Sequence, residues 1–204
     1  MISRSDLIFT RATLALLCVL LLGALSACVS GAGRQVESMT EVGSGETLIV
    51  GSVELVPPLI KDEQKIQGLN SGMYENILFL LSDDKYRVLN EEPGMGDYTI
   101  EAVLGKDFYV RSSSGQPFFI LAGMLYLELG GRELRKAYFP GGLTTSFKPG
   151  DKAVYIGAVQ YHRDEFFVIS KVTVVDDYDR ANAEYKKKFG AQYSLRKALL
   201  TPVK

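Results

Sequence analysis

Tryptophan is absent from this chain of 204 residues, histidine occurs once (His162), and cysteine occurs twice, at Cys18 and Cys28. A transition-metal centre built from His and Cys has too few ligands to draw on, and a disulfide framework cannot exceed one bridge. A histidine-based nucleophilic machine is equally short of parts. No G-x-S-x-G surrounds a serine, and no second histidine can stand in for His162. Neither sign of charge is in excess, with 23 Lys+Arg against 24 Asp+Glu, so the electrostatic footprint of a nucleic-acid binder is missing. The apolar run Ala12–Ala24 is thirteen residues long, short of the roughly 20 that cross a bilayer core as a helix.

What is present near the start is ordered. Arg4 and Arg11 with a single acid, Asp6, precede the apolar run, and Leu25-Ser26-Ala27-Cys28 follows it. Basic, apolar and small-residue regions in that order describe a signal peptide. The sequence Leu25-Ser26-Ala27-Cys28 resembles the lipobox of bacterial lipoprotein precursors. The resemblance implies cleavage between Ala27 and Cys28, a diacylglyceryl group on the Cys28 sulfur, and an added acyl chain, such as palmitate, on the new amino terminus. Two or more chains hold a protein stably on a membrane where one holds it marginally. Val29 stands where an aspartate would act as an inner-membrane retention signal, which implies the outer membrane in a diderm organism. Cleavage removes Cys18, Arg4, Arg11 and Asp6, leaving Cys28 as the last thiol and a net charge of about −2. The fold then has no disulfide and rests on its apolar core, as a chain of this size permits.

Residues 28–45 read as the lipidated cysteine and a small, polar, flexible tether, and residues 46–204 as one domain. Seventeen such residues span roughly 20–25 Å. Twenty glycines, eleven tyrosines and ten phenylalanines favour strands and turns. Strand candidates are 47–56, 73–81, 86–89, 98–104, 108–111, 117–129, 133–139, 143–147, 153–161 and 166–175. Gly105-Lys106 is expected to close a hairpin, and Pro140-Gly141-Gly142 to break two strands. The acids at 176–179, Lys186-Lys187-Lys188 and Gly190 bracket a helix over about 177–189, with Tyr178, Ala181, Tyr185 and Phe189 on one stripe. Residues 194–200 are expected to form a further short helix. The fold class predicted is mainly β: an antiparallel β-sandwich with a C-terminal α-helix packed on one sheet. Lys148–Ala181, with its PG turn and VYIG strand, is similar to small bacterial lipoproteins with an immunoglobulin- or transthyretin-like sandwich. Ile77–Leu81 and Phe118–Leu127 are apolar at both parities, which predicts cover on both faces, supplied by the C-terminal helix.

Candidate chemistry is sparse. His162 reads as a turn residue without an orienting carboxylate or nucleophile. Asp83-Asp84, Glu91-Glu92 and Asp176-Asp177 are neighbours on turns and a helix start, not carboxylates opposed across a cleft, nor a full calcium loop. Gly94-Met95-Gly96 and Gly141-Gly142 are turns rather than phosphate cradles. Lys186–Lys188 offsets the helix dipole or meets lipid head groups. Tyr109, Tyr126, Tyr138, Tyr155 and Tyr161 pack in strands or stack on sugars. No catalytic residue, metal ligand or cofactor is assigned. The chain reads as a non-enzymatic binding or structural component of the cell envelope, held on the membrane by its lipid and facing the periplasm or exterior. An envelope protein is its expected partner, nucleic acid is not, and a glycan or small-ligand binder or an envelope hydrolase are the alternatives.

Overall fold

The computed structural model describes residues 32–33, 35–60, 76–82, 98–129 and 133–204; of residues 32–33, 76–82, 98–99, 101, 126–129 and 133–136 it describes the backbone alone. The signal segment, Cys28, the strand expected at 86–89, the acid pairs at 83–84 and 91–92 and the glycines at 94–96 lie outside the described residues. The described chain is mainly β, with two sheets and one α-helix. In chain order the strands are β1 (Ala32–Gly33), β2 (Glu46–Val56), β3 (Asn76–Ser82), β4 (Tyr98–Val103), β5 (Asp107–Ser113), β6 (Pro117–Leu129) and β7 (Glu133–Ser146), then β8 (Ala153–Arg163) and β9 (Ile169–Val175). Helix α1 (Tyr178–Phe189) follows, then β10 (Leu195–Lys197) and β11 (Thr201–Pro202).

One sheet has the order β1-β4-β3-β6-β7-β11, the other β10-β8-β2-β5 with β9 also paired to β8. The pairing is not antiparallel throughout, as the sequence had suggested: β2–β8, β10–β8 and β1–β4 are parallel. Parallel central strands need cover on both faces, and β2 and β8 have it. On β2, Ile49, Val53 and Leu55 enter the main core while Leu48 and Val50 enter a second cluster behind the sheet. On β8, Val154, Ile156, Val159 and Tyr161 enter the first, and Ala153 and Tyr155 the second. The main core also takes Ile100, Ala102, Phe118, Ile120, Leu125, Phe139 and Leu143 from the other sheet.

Helix α1 closes the second cluster. Ala181 and Tyr185 are fully buried against Leu48, Val50, Tyr109 and Tyr155, and Phe189 meets Tyr109 edge-on at 5.1 Å between centroids. The helix therefore covers the sheet of β2, β5 and β8, not the sheet of β3 and β6 for which it was expected. The outer apolar positions of β6, Phe119 and Leu121, are buried instead with Val203, brought there by β11 pairing with β7. Residues 194–200 form no helix. Leu195 and Leu199 lie behind the sheet while Leu200 enters the main core, and the two-residue alternation of a strand fits this division. Leu195–Lys197 accordingly runs beside Ala153–Tyr155.

Three further connections depart from the expected pattern. Gly105-Lys106 closes no hairpin: β4 pairs with β3, β5 pairs with β2, and the turn carries the chain from one sheet to the other. Pro140-Gly141-Gly142 does not break β7, which runs past it with a bulge against β6. A Cβ on Gly141 would lie 2.0 Å from the Leu121 carbonyl oxygen, so the two backbones can approach only at glycine. Part of the stretch expected as a tether, residues 28–45, also packs on the domain. β1 extends β4 in one sheet, while Val36 N–H donates to Tyr109 O at 2.7 Å in the other and Gln35 Oε1 accepts from Tyr109 N–H. Val36 is 1% exposed. Polarity alone suggested a free linker there; one valine and a Ser38–Glu41 capping box dock it.

Candidate functional site

The C-terminal end of β2 forms one wall of an open cleft of about 610 Å³, lined by Glu54, Leu55, Val56, Pro58, Leu59 and the turn Val103–Lys106. Each wall is fixed by backbone bonding. Gly105 N–H donates to Val53 O at 2.8 Å and Lys106 N–H to Val103 O at 3.1 Å. The opposite lip is held by Arg163, whose Nε and Nη2 donate to the carbonyls of Pro57 and Pro58, both at 3.0 Å. Arg163 is 8% exposed and its guanidinium lies 4.3 Å from the Phe167 ring centroid. An arginine buried in this way fixes the proline lip rather than offering a charge to a ligand. The walls are apolar, and Glu54 and Lys106 are the lining residues that carry charge.

Glu54 also ends a polar row across the outer face of the sheet. Its Oε2 accepts from Gln160 Nε2 at 2.9 Å, Gln160 Oε1 accepts a long 3.5 Å bond from Thr173 Oγ1, and Thr173 Oγ1 lies 3.0 Å from His162 Nε2. The imidazole tautomer sets which of Thr173 and His162 donates in the shorter of these two bonds. His162 is thus a half-buried residue of β8, not a turn residue. The row aligns the Glu54 carboxylate, but the Gln160 amide interrupts it as a proton path. Glu54 and Gln160 escaped the sequence reading. The available signal was the alternation Ser52, Glu54 in β2 and Gln160, His162 in β8, two polar stripes on otherwise apolar strands.

A second, smaller recess of about 460 Å³ lies at the other end of β8, among Asp151, Lys152, Gln192, Tyr193, Ser194 and Arg196. Its strongest charges neutralise each other. Arg196 Nε and Nη2 donate to Asp151 at 2.8 and 2.5 Å. Burial opposes the charged carboxylate, yet the bonds from Arg196 and from Lys148 N–H prevail and hold Asp151 below the ordinary 3.8.

The remaining sequence candidates take structural places. Asp176 binds Lys197 Nζ at 2.6 Å and accepts from Tyr178 N–H at the helix start, and Asp177, the N-cap residue, makes no side-chain capping bond and pairs with Arg180. Tyr109, Tyr155 and Tyr161 are buried packing residues and not sugar platforms. Burial, then the neighbouring Asp107, pushes Tyr109 up to about 12, so its hydroxyl stays neutral. Tyr138 is exposed, and the Tyr126 side chain lies outside the described residues. Among the described residues no group of three or more His, Cys, Asp and Glu is placed to hold a metal ion, and no helix is long and apolar enough to cross a membrane. Comparison with family models, curated proteins and solved structures finds no match for this chain.

Proposed function

We propose that this chain is a lipid-anchored envelope protein whose domain acts by binding rather than by catalysis, with the Glu54–Lys106 cleft as its binding site. The observation that carries the reading is the sequence Leu25-Ser26-Ala27-Cys28 behind a charged and then apolar leader. It supports cleavage before Cys28, acylation of that thiol, and residence at the periplasmic or surface face of an outer membrane where the organism has one. The domain is read as a β-sandwich with a helix on one outer face, because a single core draws on both sheets. Leu55, Val56, Pro58, Leu59, Val103 and Leu104 suit the apolar body of a ligand or a partner side chain, and Glu54 and Lys106 its polar ends.

Two measurements test this. Intact cells fed an alkyne fatty acid should label the natural protein and not Cys28→Ala, and the variant should leave the membrane fraction; label retained by the variant overturns the anchor. Crosslinking in intact cells should trap the same envelope protein through a photoreactive residue at Leu59 and not through one at Val168. Equal trapping at both positions removes the cleft from the proposal.

A further inference from the structure

We propose that the C-terminal end of α1, with Lys186, Lys187 and Lys188, faces the bilayer and engages anionic phospholipid head groups; this rests on the lipidation of Cys28 proposed above. Three residues separate Cys28 from Ala32, and the four Cα–Cα steps between them reach at most about 14 Å even when fully extended. From Ala32 the chain is held along one side of the domain, first by β4 and then by β5 at Tyr109. A domain tied so closely cannot present every face to the membrane equally. The side of β4 and β5 is kept nearest.

The end of α1 lies on that side. Lys188 Nζ pairs with Glu37 at 2.7 Å, two residues beyond the docked Gln35, and sits 4.7 Å from the Tyr109 ring centroid. Lys187 is 79% exposed and its ion pair with Glu184 is long at 3.6 Å; Lys186 is exposed with no ion pair among the described residues. Exposed pairs of this kind are weak and exchange readily for other anions. Tyr193, 37% exposed in the chain that follows the helix, adds an aromatic ring with a polar tip, a chemistry suited to a head-group layer. The acids close by, Glu37 and Glu184, are each met by a lysine. The helix dipole already accounts for basic residues in the last turn. What it does not account for is their position at the point where the lipid-bearing chain enters the fold.

The test uses the full, processed protein in vesicles. Once Cys18 is cleaved away and Cys28 is acylated, an introduced cysteine is the sole free thiol. A fluorophore is placed at Ala191→Cys, beside the helix end, or at Val168→Cys, on the β9 edge opposite β5. Head-group spin-labelled lipid should quench position 191 more than 168, and more in phosphatidylcholine containing phosphatidylglycerol than in phosphatidylcholine alone. Lys186→Gln with Lys187→Gln should abolish the difference between the two vesicle types. Equal quenching at 191 and 168, or no dependence on phosphatidylglycerol, overturns the proposal while leaving the anchor intact. An intact mass without acyl groups on Cys28 overturns the anchor and this proposal together, and is told apart by that mass.

Discussion

Arg180 on α1 and Asp107 at the start of β5 are joined by two parallel hydrogen bonds, Nη1 to Oδ2 and Nη2 to Oδ1, both 2.9 Å, across 73 residues of sequence. The Asp107 side chain is 6% exposed, and the same guanidinium also binds Asp177 at the helix start. The Asp107 bond, followed by that from Asp177, raises the arginine further above its already high value, so it stays charged at any accessible pH. One planar group thus fixes the azimuth of a helix whose stripe alone leaves it free to roll.

Arg180→Ala leaves Asp107 buried without its partner. We expect a loss of about 2–3 kcal/mol in urea unfolding, the usual consequence of stranding a buried charge. Arg180→Lys should recover only part of it, since an ammonium cannot form the fork. A loss below about 0.5 kcal/mol, the range of ordinary surface substitutions, would show that the clamp does not hold the helix.

Tyr185 separates packing from hydrogen bonding at the same interface. Its ring is fully buried while its hydroxyl has no hydrogen-bond partner among the described residues, and burial raises its pKa. Removing the oxygen removes a desolvation cost, so Tyr185→Phe should be neutral or slightly stabilising. Tyr185→Ala opens a ring-sized cavity and should cost about 3–5 kcal/mol. Chemical denaturation of the two variants checks both values, and a strongly destabilised Tyr185→Phe would reveal a buried water or partner on that hydroxyl.

Asp151 gives the domain an acid-sensitive point. Its carboxyl is held below 3.8 in the folded state by Arg196 and Lys148 N–H against the opposing effect of burial. A group with a depressed folded pKa binds its proton more readily when unfolded, so its stabilisation is complete above its unfolded value and is lost as the pH falls through the folded one. Stability measured from pH 5 downward should therefore fall more steeply for the natural protein than for Arg196→Gln. Parallel slopes would contradict the assignment.

How far these features could be read from the sequence depended on whether the signal was local. The strands 47–56 and 117–129 and the helix stripe Tyr178, Ala181, Tyr185, Phe189 are set by hydropathy period, and they form within a few residues of where period places them. Pairing is not a local property. Gly105-Lys106 has the composition of a hairpin turn, but a tight turn serves equally to cross between sheets, and only the apolar faces of β4 and β5 meeting one core decide it. The same holds for the cover of β6. The helix stripe was a plausible lid by amount of apolar surface, yet Val203 was too short a signal to compete with it. The cleft was invisible because its walls come from β2 and the β4–β5 turn, about 50 residues apart in sequence.

The last prediction concerns the tail, where two leucines five residues apart serve different sides of one sheet. Leu195 is 3% exposed in the cluster beneath α1, with Val50 and Tyr155. Leu200 is 3% exposed in the main core, tied there by its N–H donating to Ile156 O at 2.9 Å. Each Leu→Ala change should cost about 2–4 kcal/mol through lost burial and the cavity left behind. The sheet stands between the two cavities and they share no lining cluster, so the double variant should lose the sum of the single losses to within about 0.5 kcal/mol. Were the tail to place both side chains on one side of the sheet, their losses would couple. Urea unfolding of Leu195→Ala, Leu200→Ala and the double variant measures that coupling directly. A coupling above about 1 kcal/mol would place the two leucines in one cavity and refute the strand assignment of the tail.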